Sequence, residues 1–223
     1  MKQNKGFFTI GITGGAGCGK STVVEYIKSI VQTEFIHCDV IAHRLMEPDG
    51  ASYKALIEEY GKGILEGTGE HPENISRAKL AGIALATSEK AKRLNEITHP
   101  LVQEAVLQKL SNLKSENYRG VAVIEAALLI EAGYQNMCDE VWYVHAPIQD
   151  RIVRMKENRG YSDEKIERLL AAQLSEEIFL RHADFVVENP NLPREEQRKH
   201  LMLQIEPYLK EKLESRGIMC YNK

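Results

Sequence analysis

Apolar positions along the chain fall into two patterns. Short continuous runs occupy residues 7–13, 34–38, 120–129, 141–144 and 185–187. Such runs are rich in Val, Ile and Phe and show little alternation, so they predict strands buried on both faces of a parallel sheet. Elsewhere apolar residues recur every three or four positions. Val23, Val24, Ile27, Ile30 and Val31 mark one face of a helix directly behind the first run. The same spacing predicts helices over 52–60, 76–86, 88–97 and 101–113, one from Ser162 through 174, and a last one over 195–213. Ser162 followed by Asp163 and Glu164 is a good helix start, and Pro100 predicts the end of one helix and the beginning of the next. Five apolar strands separated by helices describe an α/β fold with a parallel sheet.

The helical stretch between the second and third strands is too long for one crossover, which needs only a single helix. The expected organisation is therefore a core from 1–46 and 119–223 with a helical insertion over 47–118. In open parallel sheets ligands bind beyond the carboxyl ends of the strands. An insertion emerging there is placed to hold a second substrate, or to serve as a packing layer.

Composition narrows the class. The 223 residues are enough for a sizeable core, and a formal net charge of -3 argues against nucleic acid, which demands a basic face. No long apolar run precedes the first strand and none elsewhere reaches membrane-spanning length, so neither a signal peptide nor a membrane partner is expected. Cys18, Cys38, Cys138 and Cys220 form no CxxC pair, which fits a reduced, cytoplasmic protein without a zinc site.

The chemistry is concentrated at residues 14–21, Gly-Gly-Ala-Gly-Cys-Gly-Lys-Ser, between the first strand and the first helix. Glycine, four residues, glycine, lysine and serine is the phosphate-binding loop pattern, and a strand followed by a helix is the context it needs. Glycines let the backbone come close to an anion, and the first helix amides lack internal partners, so a polyphosphate fits on the turn. Gly15, Ala16, Gly17, Cys18, Gly19, Lys20, Ser21 and Thr22 are therefore candidate contacts to a nucleoside triphosphate. Lys20 supplies charge to the β- and γ-phosphates and the Ser21 hydroxyl is placed to ligate Mg²⁺. Cys18, beside Lys20 at a helix N-terminus, is expected to be the most readily alkylated thiol if exposed. Asp39 follows the second strand and reads either as a ligand-side carboxylate or as a helix N-cap. Glu125 is the one charge near the carboxyl end of the third strand. Arg151, Arg154, Lys156 and Arg159 form a basic segment that either clamps phosphoryl oxygens or is a solvated face paired with Glu157, Asp163, Glu164 and Glu167.

Taken together the motifs resemble the bacterial dephospho-CoA kinases, P-loop kinases of coenzyme A biosynthesis. The resemblance runs from Thr9 to about Asn189 through the loop 12–22, Asp39-Val40-Ile41-Ala42-His43 with Glu47-Pro48 and Gly50, and Ile75-Ser76-Arg77 with Leu80. It continues through His99-Pro100 with Val102, Leu128-Leu129 with Glu131, Arg154, Gln173, and Ala183-Asp184 with Asn189. It implies the P-loop NTPase fold, with the insertion on the CoA side and a lid over 147–182. It also implies ATP as co-substrate with Mg²⁺ and phosphorylation of the ribose 3′-hydroxyl of dephospho-CoA. By the same resemblance Lys20, Asp39 (as general base) and Arg154 (on the ATP phosphates) are catalytic, and Arg77, His99 and Glu125 join Asp39 as substrate contacts. The chain departs from the family pattern in His37-Cys38-Asp39 for Asp-Ala-Asp, in Glu125-Ala126-Ala127-Leu128-Leu129-Ile130-Glu131 for Asp-x-Pro-Leu-Leu-x-Glu, and in Cys18 for serine. Two rivals remain at this point: another P-loop kinase with a nucleotide or nucleoside acceptor, and a regulatory GTPase. The second lacks both its Asn-Lys-x-Asp and its Asp-x-x-Gly strings here.

Overall fold

The computed structural model describes residues 6–221. The strands are β1 (Phe8–Thr13), β2 (Thr33–His37), β3 (Val121–Glu125), β4 (Glu140–His145) and β5 (Phe185–Glu188). They form one five-stranded parallel sheet in the order β2-β3-β1-β4-β5. β1 lies between β3 and β4, with Ile12 opposite Glu125 on one side and Trp142 on the other. The chain moves outward from β1 in one direction to reach β2 and β3, then returns across it to β4 and β5. The turn after β1 therefore sits at the topological switch point, where parallel sheets open a crevice.

All six residues of β1 are buried, as its uninterrupted run predicts. The helices are α1 (Lys20–Ile30), α2 (Cys38–Leu45), α3 (Tyr53–Tyr60), α4 (Arg77–Ala84), α5 (Ser88–Ser115), α6 (Ile148–Arg159), α7 (Asp163–Ala171), α8 (Glu176–His182) and α9 (Arg194–Glu214). Val23, Val24, Ile27 and Ile30 of α1 join Ile10, Ile12, Val123, Trp142 and the α9 row Leu201, Ile205, Leu209 and Leu213 in one core. The α9 row repeats every four residues, so a single helix face carries it. Burying each such side chain is worth about 1.5–3 kcal/mol.

The molecule divides into two compact units. One runs up to Ile36 and resumes at Asn112, and the other is His37–Ser111. The second has its own small core of Leu56, Ile64, Ile75, Leu80 and Ala84.

Three local expectations are corrected. Pro100 starts no new helix, because α5 continues through it as a single 28-residue element. Proline costs an intrahelical bond and about 3 kcal/mol. Val102, Val106, Leu110 and Leu113 beyond it are all buried, and their packing offsets that cost. The apolar run 120–129 is a strand only as far as Glu125. Cys38, expected at the end of the second strand, instead opens α2.

Candidate active site

In the sheet unit the loop runs from the buried β1 into α1. Gly19 is the residue before the helix, with φ 87° and ψ 36°, a left-handed conformation that an L side chain resists. A Cβ there would also lie 2.3 Å from the Asn189 amide nitrogen. No side chain caps α1, so its first amides stay available, as an anion site requires. The Lys20 ammonium donates to the Gly14 carbonyl at 2.8 Å and lies 3.5 Å from that of Gly15, which curls it over the turn. Ser21 and Thr22 follow, both exposed. Glu125 is half-buried at the carboxyl end of β3, next to the strand that feeds the loop.

The other side of the loop is braced. Arg151 of α6 donates its Nε to the Ala16 carbonyl at 2.9 Å and a terminal nitrogen to Gln173 Oε1 at 2.6 Å. A Cβ on Gly15 would fall 2.2 Å from that guanidinium, so glycine is required for the close approach. Arg154, one turn along α6, was expected on the triphosphate. Its guanidinium donates to four backbone carbonyls, those of Gly17, Cys18, Asn189 and Pro190. Burial lowers its pKa from the usual guanidinium value, against the carboxylate of Asp150. Tyr143 of β4 stacks on Phe179 with ring centroids 5.1 Å apart, and burial pushes its phenol up to about 12.

Cys18 is 2 % exposed, so the expectation that it is the readiest thiol is corrected. Of the four free cysteines only Cys220 is not buried. The sulfur of Cys18 packs into the apolar core beneath the loop, which turns its side chain away from any reagent.

In the His37–Ser111 unit, the helix-cap reading of Asp39 is also corrected. His37 is the N-cap of α2, its Nδ1 accepting from the Val40 amide at 3.4 Å. Asp39 lies in the first turn with its residue exposed, so nothing local commits its carboxylate. His43 follows four residues later, on the same helix face. Burial lowers the His43 pKa, the charges of Arg77 and His37 act in the same sense, and Asp39 opposes them. Asp39, His43 and Arg77, the exposed first residue of α4, therefore form one charged group in this unit. His43 was not singled out from the sequence, although its i, i+4 relation to Asp39 was visible there. His99, half-buried on α5, has its imidazole pKa lowered by burial.

For a divalent cation, Ser21 offers one exposed hydroxyl at the head of α1. Among the described residues no three His, Cys, Asp or Glu are arranged as a metal cage. One hydroxyl beside a phosphate cradle fits Mg²⁺, which keeps its waters and is carried mainly on phosphate oxygens.

Comparison with known proteins places this geometry. The family model described as dephospho-CoA kinase matches residues 8–195, which takes in every candidate residue above except Cys220. The chain is 32% identical over 180 residues to a dephospho-CoA kinase of Dehalococcoides mccartyi, covering 81% of this chain and 87% of that one. To the dephospho-CoA kinase of Geobacter sulfurreducens it is 34% identical over 190 residues, covering 85% and 93%. A solved Thermus thermophilus structure superposes with a TM-score of 0.73 at 27% identity, over 92% of this chain and 97% of that one. The loop alone would fit many ATPases, but a match running from β1 into α9 does not, and the chain belongs to the dephospho-CoA kinase family.

Proposed function

We propose that this protein transfers the γ-phosphoryl group of ATP to the ribose 3′-hydroxyl of dephospho-CoA, giving coenzyme A and ADP, the last step of coenzyme A biosynthesis. The observation that carries phosphoryl transfer is the loop itself, and the family match carries the acceptor. The amides of Gly17, Gly19, Lys20 and Ser21 have no acceptor among the described residues, and the Lys20 ammonium is held on the Gly14 carbonyl of the same turn. Such fixed donors stabilise charge on a transferring phosphoryl group without reorganising at the moment of reaction.

Lys20 leaves the Gly14 carbonyl for the β- and γ-phosphates, and Thr22 meets the phosphates nearer the nucleoside. Ser21 would help to hold Mg²⁺, which would supply positive charge against the triphosphate. The 3′-oxygen attacks the γ-phosphorus, the bond to the β–γ bridging oxygen breaks, and ADP leaves. Asp39 accepts the hydroxyl proton, late in the step, as the oxygen bonds to phosphorus. Arg154 contributes its charge from behind the loop, through the peptide groups it holds. Arg77, His99 and Glu125 hold the acceptor, with Arg77 suited to its phosphates. The insertion over 47–118 is the CoA-side part, and the segment 147–182 is the lid. No helix among the described residues is long and apolar enough to cross a membrane, and we place the reaction in the cytoplasm.

Incubating pure protein with ATP, Mg²⁺ and dephospho-CoA should give coenzyme A by mass. AMP and adenosine offered in its place should be poorer acceptors by several powers of ten, because remote contacts to the long acceptor help to align its hydroxyl. Equal efficiency with AMP and dephospho-CoA overturns the substrate assignment.

A further inference from the structure

Asn189 is fully buried, and both ends of its side-chain amide are hydrogen-bonded. Its Nδ2 donates to the Cys18 carbonyl at 2.8 Å and lies 3.4 Å from that of Gly19. Its Oδ1 accepts from Gln197 Nε2 of α9 at 2.9 Å. That second bond sets the sense of the amide, because a Gln donor holds the oxygen on the α9 side and leaves the nitrogen for the loop. Arg151 meanwhile holds the Ala16 carbonyl, and Arg154 those of Gly17 and Cys18. Donors outside the loop thus hold the carbonyls of four successive residues, 16 to 19.

A trans peptide is planar with its C=O and N–H on opposite sides. Fixing the Ala16 and Cys18 carbonyls on the braced side therefore turns the Gly17 and Gly19 amides to the other, and neither amide has an acceptor among the described residues. Gly19 completes the fit, because any side chain there would collide with the Asn189 amide. The three braces are not equal. The two guanidiniums sit half-buried on α6, a helix of the segment read as the lid, whereas Asn189 follows β5 and belongs to the sheet itself.

We propose that Asn189 is a positioning residue for phosphoryl transfer: it holds the phosphate loop with its amides toward the triphosphate, and Gln197 holds Asn189 in the donating sense. This rests on the reading of the loop as the ATP site. Asn189 is fully buried and reaches the loop through its carbonyls, so its effect is on ATP and not on the acceptor. An aspartate at this position sharpens the claim. Ionised, it would set a carboxylate against the Cys18 carbonyl, while protonated it would donate an O–H in place of the N–H. Burial beside a carbonyl favours the protonated form, and the Arg154 guanidinium, which shares the Cys18 carbonyl, opposes it.

The experiment measures ATP binding by calorimetry, KM for dephospho-CoA, and melting temperature in wild type, Asn189→Ala, Asn189→Asp and Gln197→Leu. Asn189→Ala should weaken ATP binding by up to about tenfold, the scale of one lost hydrogen bond where Arg154 still holds the Cys18 carbonyl, and leave the KM for dephospho-CoA within about twofold. Gln197→Leu should weaken ATP less, and it keeps the test open if Asn189→Ala fails to fold. Asn189→Asp, compared with wild type at each pH, should regain ATP affinity as pH is lowered from 8 to 6, and Asn189→Ala should show no such recovery. Unchanged ATP binding in folded Asn189→Ala, or in Gln197→Leu if only that variant folds, overturns the inference. So does a parallel loss for ATP and acceptor together with a lowered melting temperature, which marks general damage. A wild-type protein that does not bind ATP overturns the functional reading and the inference with it. One that binds ATP but phosphorylates a different acceptor overturns the substrate and leaves the inference standing.

Discussion

The sheet unit and the His37–Ser111 unit hold their polar groups in opposite circumstances. Around the loop, Arg151, Arg154 and Asn189 are buried or half-buried and already bonded to main chain. In the other unit Asp39 and Arg77 are exposed, each in the first turn of a short helix, and the local core comprises five buried residues. On the proposed function, the difference follows from what each part has to meet. A triphosphate is recognised largely by main-chain amides, whose direction must be set in advance by rigid neighbours. A proton acceptor and a phosphate-binding arginine work as side chains, and they gain by staying solvated and adjustable until the acceptor arrives.

The strongest way to break this contrast is to remove one functional group from each side. Asp39→Asn should lower kcat about 10²–10⁴-fold with little change in KM for ATP, because it removes the base while keeping the shape. Its cost in stability should be only about 0.3–1 kcal/mol, the value of an exposed carboxylate in a first helical turn. Lys20→Ala should lower kcat on the order of 10²-fold and weaken ATP as well, with melting temperature nearly unchanged. If Asp39→Asn melts far below wild type while kcat survives, the carboxylate is structural and the contrast fails on that side.

A smaller effect is expected from the acceptor contacts. Arg77→Ala should cost roughly tenfold to a hundredfold in kcat/KM for dephospho-CoA, the scale of a hydrogen bond to a charged group, with KM for ATP unaltered. His99→Ala should act in the same direction and more weakly. Steady-state kinetics with each substrate varied in turn separates the two sides, and a rise in KM for ATP in either variant contradicts the assignment.

The smallest effect is on stability against pH. Folding lowers the pKa of His43 and of His99 from 6.5, chiefly through burial. Below 6.5 the unfolded chain takes up protons at these positions that the folded protein refuses, so stability present at neutral pH is lost as the medium is acidified toward the folded values. Arg77 and His37 reinforce the shift at His43 and Asp39 opposes it. Melting temperature should be level from pH 8 to 7 and then decline, less steeply in a His43→Gln, His99→Gln double variant. Identical profiles for the variant and wild type would show that these imidazoles do not govern the acid response.

Sequence alone determined the parts that depend on local order. Gly14 to Ser21 between an apolar run and an amphipathic face specifies a strand, an anion-binding turn and a helix, because each is set by neighbours within a few residues. The five strands followed from the same kind of reading, and the family from the resemblance of motifs spread between Thr9 and Asn189. Tertiary structure decided what depends on residues far apart in the chain. Pro100 broke no helix, because buried residues on its far side outweighed its local cost. The Cys18 thiol, beside a lysine in sequence, was taken into the core. His37 took the cap that was one of the two readings of Asp39, since the chain bends one residue earlier than its apolar pattern indicates. Arg154 and Asn189 lie 136 and 171 positions from the carbonyl they share, and no periodicity or motif spacing relates such distant donors to one peptide group. Only the closing of the sheet, which brings the end of β5 and the start of α6 beside the turn after β1, puts them there.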